Sequence, residues 1–266
     1  MPILHVNGAE LYYEAKGTGI PVLFIMGASG DGGHFSRVAD LLADEFTVII
    51  YDRRGCGRSP RAAGWQTTSP AEQADDAAAL LGALGLESAA VFGTSSGGTF
   101  ALCLTVRHPA SVRGCILHEP VLARLYDDPE GVRAAGAALV APAMAEGGPA
   151  LVMERFWRLV AGDANWSALD APLRDRMRST AGTFVEVELG TFEGYLPDDD
   201  ELSRIGVPVL LLVSEDGRIP QQQAVGRLAQ QLEAPVQRLP GTHMSYWDHP
   251  HETSDTIRTF LRQLPA

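Results

Sequence analysis

Val91-Phe92-Gly93-Thr94-Ser95-Ser96-Gly97-Gly98 carries an apolar run into a G-x-S-x-G turn, then into a small-residue stretch from Thr99 to Arg107 that reads as a helix. That order has a chemical reason. A serine hydroxyl is a weak nucleophile unless it stands clear of the backbone beside a base and a set of oxyanion donors. A sharp strand-to-helix turn exposes Ser95 in this way, and side chains two residues to either side would collide, so Gly93 and Gly97 leave the space. Gly and Ser are common turn residues. The weight of the pattern comes from its place between a strand and a helix.

On either side of this turn, short apolar runs alternate with helical patterns, which reads as an α/β chain with a mostly parallel sheet covered on both faces. Ile3–Val6 and Glu10–Ala15 form a hairpin on Asn7-Gly8, a strong two-residue turn signal. Val22–Met26 is a buried strand ending at Gly27, followed by a helix over Phe35–Ala43 and the strand Thr47–Tyr51. The glycine-rich loop Asp52 to Ser59 leads to a helix over Pro70–Leu84, the elbow strand Ala89–Phe92, and a further strand, Arg113–Leu117. From 122 to 202 no strand pattern is present, and Met153, Phe156, Trp157 and Val160 fall on one helical face. The sheet resumes at Val207–Val213, then a helix over Gln221–Leu232, a strand at Val236–Leu239 and a helix over Glu252–Leu264. The expected organisation is a core of residues 1–121 and 203–266, interrupted by a helical cap over 122–202.

At 266 residues, 45% apolar and 20% charged, the chain can bury a large core as an ordinary globular protein does. Its net charge of −12 argues against a nucleic-acid partner, because phosphate binding needs clustered Lys and Arg. Cys56, Cys103 and Cys115 are odd in number and lack zinc spacing, so neither a disulfide framework nor a metal site is implied. No cofactor is called for. Met1 to His5 lacks the basic and apolar segments of a signal peptide, and no run approaches a membrane span. The expectation is a cytoplasmic protein without a membrane partner.

The whole chain resembles the α/β-hydrolase fold, through the strand-end Gly27, the loop Asp52 to Ser59, the elbow, and the late His243. The resemblance implies an eight-stranded, mostly parallel sheet flanked by helices, and a triad in the order Ser, acid, His. His243 follows Pro240-Gly241-Thr242 and is the expected general base, whereas His249 and His251 open a helix and suit solvent. Two carboxylates can orient the imidazole. Asp216 lies just beyond Val207–Val213, with Pro220 four residues on, and Glu119 lies just beyond Arg113–Leu117.

Gly93-Thr94-Ser95-Ser96-Gly97, followed by Cys115-Ile116-Leu117-His118-Glu119-Pro120, looks like the zearalenone-lactonase family. That family pairs a C-S-S-G elbow with a C-H-E-L-P strand end at the same Ser-to-Glu separation and uses the Glu as its acid. Leu239-Pro240-Gly241-Thr242-His243-Met244-Ser245-Tyr246 and Gly17-Thr18-Gly19 extend the likeness. Asp216, where that family lacks an acid, and the cap sequence depart from it. Glu119 is thus the favoured acid and Asp216 the alternative.

The backbone N–H groups of Ala28 and Ser96 are the expected oxyanion donors. Ser96 also stands where many peroxidase-like and C–C-cleaving members of the fold carry Met. Met153, Trp157 and Phe192 are the candidates for a substrate wall in the cap; Trp166 and Tyr195 read as cap core. Asp31 and His34 could touch substrate, yet a helix N-cap and a solvated ring explain them as well, and Arg53, Arg54 and Arg58 read as turn structure rather than an anion site. His118 either tunes Glu119 or packs in the core. The expected activity is a cofactor-independent serine hydrolase acting on an apolar ester or lactone, a macrolactone included, with a homodimer left open. Rival readings are C–C, thioester or amide hydrolysis or perhydrolysis on the same triad, and a non-catalytic small-ligand sensor.

Overall fold

The structure, a computed structural model, describes residues 2–191 and 194–265. Eight strands form one sheet in the order β1-β2-β4-β3-β5-β6-β7-β8. They are β1 (Ile3–Val6), β2 (Ala9–Lys16), β3 (Pro21–Ile25), β4 (Thr47–Tyr51), β5 (Ala89–Thr94), β6 (Val112–His118), β7 (Val209–Asp216) and β8 (Val236–Thr242). Asn7 and Gly8 both take positive φ, 47° and 72°, the pair of values that a tight hairpin turn between β1 and β2 requires. β2 pairs antiparallel with both β1 and β4, and every other pairing is parallel.

Parallel register decides where the site lies. Ile25 pairs with Gly93, Thr94 with His118, and His118 with Leu212, so the carboxyl ends of β3, β5, β6 and β7 finish side by side. In open sheets of this kind, that edge is where ligands bind. The apolar residues alternate along the strands and divide the core in two. Val22, Phe24 and Phe92 face α1 (Ser36–Leu42) and α10 (Pro250–Leu261), while Leu23, Ile25 and Val91 face α2 (Pro70–Ala83), α3 (Ser96–Arg107) and α8 (Ile219–Leu232). The expected strands at Val207–Val213 and Val236–Leu239 each run three residues further, carrying the chain to the site.

Between β6 and β7 lie α4 (Pro129–Ala168), α5 (Ala171–Ser179), α6 (Ala181–Thr183), a π-helical turn at Phe184–Glu188, and α7 (Asp199–Ser203). The sequence reading found no membrane-length run, yet α4 is long and apolar enough by composition to cross one, with mean hydropathy 1.3 over an 18-residue window. Backbone geometry breaks it: Gly148 (φ 67°, ψ −162°) and Gly162 (φ 82°, ψ 160°) are non-helical, so the segment is a series of shorter helices. A short helix, α9 (Ser245–Asp248), follows the late histidine and precedes α10.

The elbow rests on backbone contact. A Cβ at residue 97 would fall 2.2 Å from the Ile25 carbonyl oxygen, and one at residue 93 would fall 2.3 Å from that of Gly97. Neither partner is a movable side-chain end. Gly97→Ala is expected to lower Tm by about 8 °C or more, whereas Gly82→Ala, in open space on α2, leaves it unchanged or slightly raised. Thermal melts of the two variants check this.

Candidate active site

Ser95 occupies the one residue between β5 and α3, with φ 56° and ψ −131°. A non-glycine residue there costs on the order of 1–3 kcal/mol, and such strain persists only where the surroundings over-determine it. Ser95, Ser96, Ala28 and His243 share one cavity of about 780 Å³ beneath the cap. The expected nucleophile, base and oxyanion donors are therefore brought together. Among the described residues the Ser95 hydroxyl makes no hydrogen bond, and such contacts commonly tighten only when substrate is bound.

Of the two candidate acids, the structure sets Glu119 against His243, with Nδ1 of the imidazole hydrogen-bonded to Oε2. The other oxygen of Glu119 accepts from the Ser214 N–H of the neighbouring strand at 3.0 Å. Burial pushes the Glu119 carboxyl up, but the His243 bond and the Ser214 N–H outweigh it and hold the group below its ordinary value. Asp216 is exposed at the end of β7, where the register with β8 shifts between Ser214 and Asp216. The place beside the imidazole goes to Glu119 instead.

His118 lies fully buried behind this pair. Its Nδ1 meets Thr94 Oγ1 at 2.8 Å and its Nε2 meets Ser214 Oγ at 2.9 Å, so both ring nitrogens are used. Burial pushes its pKa down to about 4, which keeps the ring neutral, and it stacks 5.7 Å from His243. It binds three strand ends together: Thr94 of β5, its own β6, and Ser214 of β7.

The backbone around Ala28, an expected oxyanion donor, is organised by a residue read from the sequence as turn structure. Arg53 is fully buried, and its Nε and Nη2 donate to the carbonyls of Met26 and Gly27, each at 2.8 Å. In a trans peptide the C=O and N–H point in opposite directions. Anchoring the Gly27 oxygen on Arg53 therefore turns the Ala28 N–H away from the guanidinium and toward the cavity. Glu188, from the π-helical turn of the cap, neutralises Arg53 with both carboxylate oxygens and is itself fully buried. Ser96 N–H, in the first turn of α3, has no intrahelical acceptor, as its expected part as the second donor requires. Arg54 and Arg58 keep their structural roles, paired with Asp76 and Asp52.

Several expectations are corrected. Met153 and Trp157 do not line the cavity; they are buried in the core, where the Trp157 ring stacks on His34 at 4.5 Å. The adjacent face of the same helix, with Val152, Phe156 and Leu159, forms the wall instead, since neighbouring residues on a helix point some 100° apart. Phe192 lies outside the described residues. His34 is not a solvated ring: it is fully buried, with Nε2 at 3.2 Å from Ser29 Oγ. Asp31 does cap its helical turn, accepting from Gly33 N at 2.8 Å, and also pairs with Arg176 of the cap at 2.6 Å.

Sequence reasoning missed Glu188, Ser214 and the clamp on the histidine loop. Asp248 accepts from the Thr242 N–H at 3.2 Å and from Asn165 of the cap at 2.9 Å, and so fixes the residue before His243. None carries a local motif. Only the acid six residues after Thr242, at the end of the short helix that follows His243, was a signal that could have been followed.

A family profile described as the alpha/beta hydrolase fold matches residues 20–250. An uncharacterized hydrolase of Bacillus subtilis, YraK, is 30% identical, over 98% of this chain and 95% of its own. The putative carbamate hydrolase RutD of Azorhizobium caulinodans is 40% identical over a shorter stretch, 42% of each chain. Among solved structures, a thermophilic esterase from Thermogutta terrifontis superposes with a TM-score of 0.80 at 23% identity, covering 98% of both chains.

The two buried histidines make stability depend on pH. Burial depresses both His34 and His118 to about 4, against about 6.5 for an unfolded histidine. The unfolded chain then binds more protons between those values, so their contribution is complete above pH 6.5 and is lost as pH falls toward 4. His34→Phe keeps a ring against Trp157 and removes one titration. It is expected to reduce the loss of unfolding free energy between pH 6.5 and 4 by up to about 3 kcal/mol, read from urea melts. Equal losses in the two proteins would contradict the assignment.

Proposed function

We propose a specific chemistry for this chain, which belongs to the alpha/beta hydrolase fold family. The chain is a hydrolase, and the reading is a serine enzyme that cleaves carboxylic esters through an acyl-enzyme, with lactones and macrolactones as ring-closed cases. One observation carries it: His243 bears Glu119 on Nδ1 and shares a largely apolar cavity with Ser95 and two free-pointing backbone donors. Ser95 Oγ attacks the carbonyl as His243 Nε2 takes its proton, and Glu119 stabilises the imidazolium. The N–H groups of Ala28 and Ser96 receive the developing oxyanion. The alcohol leaves with the proton from His243, and water releases the acyl group by the same route.

The lactone extension has separate support. A lactone's alcohol stays tethered after ring opening, so the site must hold both halves at once, and about 780 Å³ under the cap is adequate for a bulky ring. The elbow and the His118-Glu119 strand end, which resemble the zearalenone lactonases, favour the same substrates. A sensor of the same fold is the rival from outside enzymology, and a fluorophosphonate probe separates the two, since a sensor leaves Ser95 unlabelled.

Ser95→Ala is expected to reduce turnover of p-nitrophenyl esters and of zearalenone-type macrolactones at least about 10³-fold. Glu119→Ala should cost about 10³-fold or more, and Asp216→Ala no more than about 2-fold. Loss confined to the Asp216 variant would reverse the choice of acid. Arg53 acts through the Gly27 carbonyl, so Glu188→Gln, which unpairs it, is expected to lower kcat about 10-fold with KM little changed. A variant that melts like the parent with kcat intact would remove Arg53–Glu188 from the mechanism.

A further inference from the structure

The cavity over Ser95 carries fixed charge of one sign only. The described residues lining it include Arg124, Arg133 and Arg218, and no aspartate or glutamate. This runs against composition, for the chain holds 33 acidic residues to 21 basic and has a net charge of −12. Elsewhere most of its arginines meet carboxylates, as in Arg53–Glu188, Arg54–Asp76 and Arg58–Asp52, although Arg37, Arg174 and Arg204 bond to carbonyls instead. Arg133 has Glu130 at 2.7 Å. The guanidinium groups of Arg124 and Arg218 have neither an ion pair nor a hydrogen bond among the described residues.

The sheet explains their position. Arg124 follows the end of β6 and Arg218 the end of β7, and these strands are paired, with His118 opposite Leu212. Arg218 comes directly after Gly217, which lies against the Glu119 carboxylate. The two cations therefore stand on the triad-acid side of the cavity, while the cap supplies an apolar wall of Val152, Phe156 and Leu159. Gln221, on the Arg218 side, adds an amide whose oxygen is buried without a partner. A guanidinium with no carboxylate of its own, set beside a low-dielectric wall, favours an anion, and its planar fork matches a carboxylate in particular. A cleft of single sign also concentrates anions locally, even on a protein whose net charge repels them.

We propose that the substrate carries a carboxylate remote from the ester that Ser95 attacks, held by Arg218 together with Arg124, with its apolar body against the cap. The chemical class is a half-ester of a dicarboxylic acid, or a lactone bearing a free acid. The inference rests on the serine-hydrolase reading above and narrows its substrate.

Matched esters test it. One series places a carboxylate, or a methyl ester of the same length, at the far end of the acyl chain, as in p-nitrophenyl hemisuberate and its methyl ester. A second series places the same pair of groups on the alcohol. The carboxylate substrate is expected to have a kcat/KM about 10-fold or more above its neutral partner in at least one series, with the ratio shrinking between about 20 mM and 500 mM NaCl. In the double variant Arg124→Ala, Arg218→Ala that ratio should fall to near one. Arg218→Lys, which keeps charge and loses the fork, should give an intermediate ratio. The ratio is read within each protein, so a general loss of activity does not mimic the effect.

No preference for the anion in either series overturns the inference while leaving the hydrolase reading intact. A preference that persists in the double variant, with native melting, also overturns it. Failure to turn over any ester, with Ser95 unlabelled by a fluorophosphonate, overturns the hydrolase reading itself and this inference with it.

Discussion

The close approach of α3 to the end of β3 is the constraint on which the site depends. With a position-97 Cβ only 2.2 Å from the Ile25 oxygen, glycine alone lets the helix start where it does. A Cβ at residue 27 would likewise fall 2.7 Å from that of Ser95. Two strand ends and a helix start thus meet backbone to backbone, which places the Ala28 and Ser96 N–H groups beside one serine. Three non-glycine residues at these strand ends, Ser29, Ser95 and Glu119, take positive φ of 79°, 56° and 43°. Strain of that kind is kept where neighbours on every side fix the backbone, and here they also fix the chemistry.

The cap is more than a cover. It reaches the core loops through Glu188 on Arg53, Arg176 on Asp31, and Asn165 on Asp248. The first acts on the loop that carries Ala28 through Arg53, which holds the Met26 and Gly27 carbonyls; the second ends on that loop at Asp31, and the third on the segment that follows His243. A buried ion pair is weak evidence for stability, because desolvation offsets much of the attraction. Its clearer effect is geometric: the fully buried guanidinium of Arg53 can satisfy its donors only on the Met26 and Gly27 carbonyls, Gln73 and Glu188. Movement of these inserted helices would therefore change the direction of the Ala28 N–H beside Ser95.

The parts of this site that a local pattern encodes were legible in the chain. The elbow, the hairpin at Asn7-Gly8, the alternation of strands and helices, and His243 after the last strand all follow from residue type and spacing. The cap residues were not legible, because a helical period gives a face but not the direction in which that face points. Met153 and Trp157 share the expected periodicity with Phe156, yet they turn inward and Phe156 turns to the cavity. Glu188 and Ser214 are far from Arg53 and Glu119 in sequence and lie in no motif. Contacts of that separation are made by the fold as a whole, and no window of sequence contains them.

The question of the acid shows how such a distant contact can decide a local one. From the chain, Asp216 and Glu119 are both carboxylates at strand ends beside the nucleophile. What separates them is Gly217. A Cβ there would lie 1.8 Å from Glu119 Oε1, so the turn after β7 leaves room for a side chain that arrives from β6. Glutamate has the length to cross that gap, taking the Ser214 N–H on one oxygen and His243 on the other. Asp216, one residue before that glycine, is left in solvent. The carboxylate that reaches the imidazole is thus set by the absence of a side chain on the neighbouring strand as much as by the presence of one on its own.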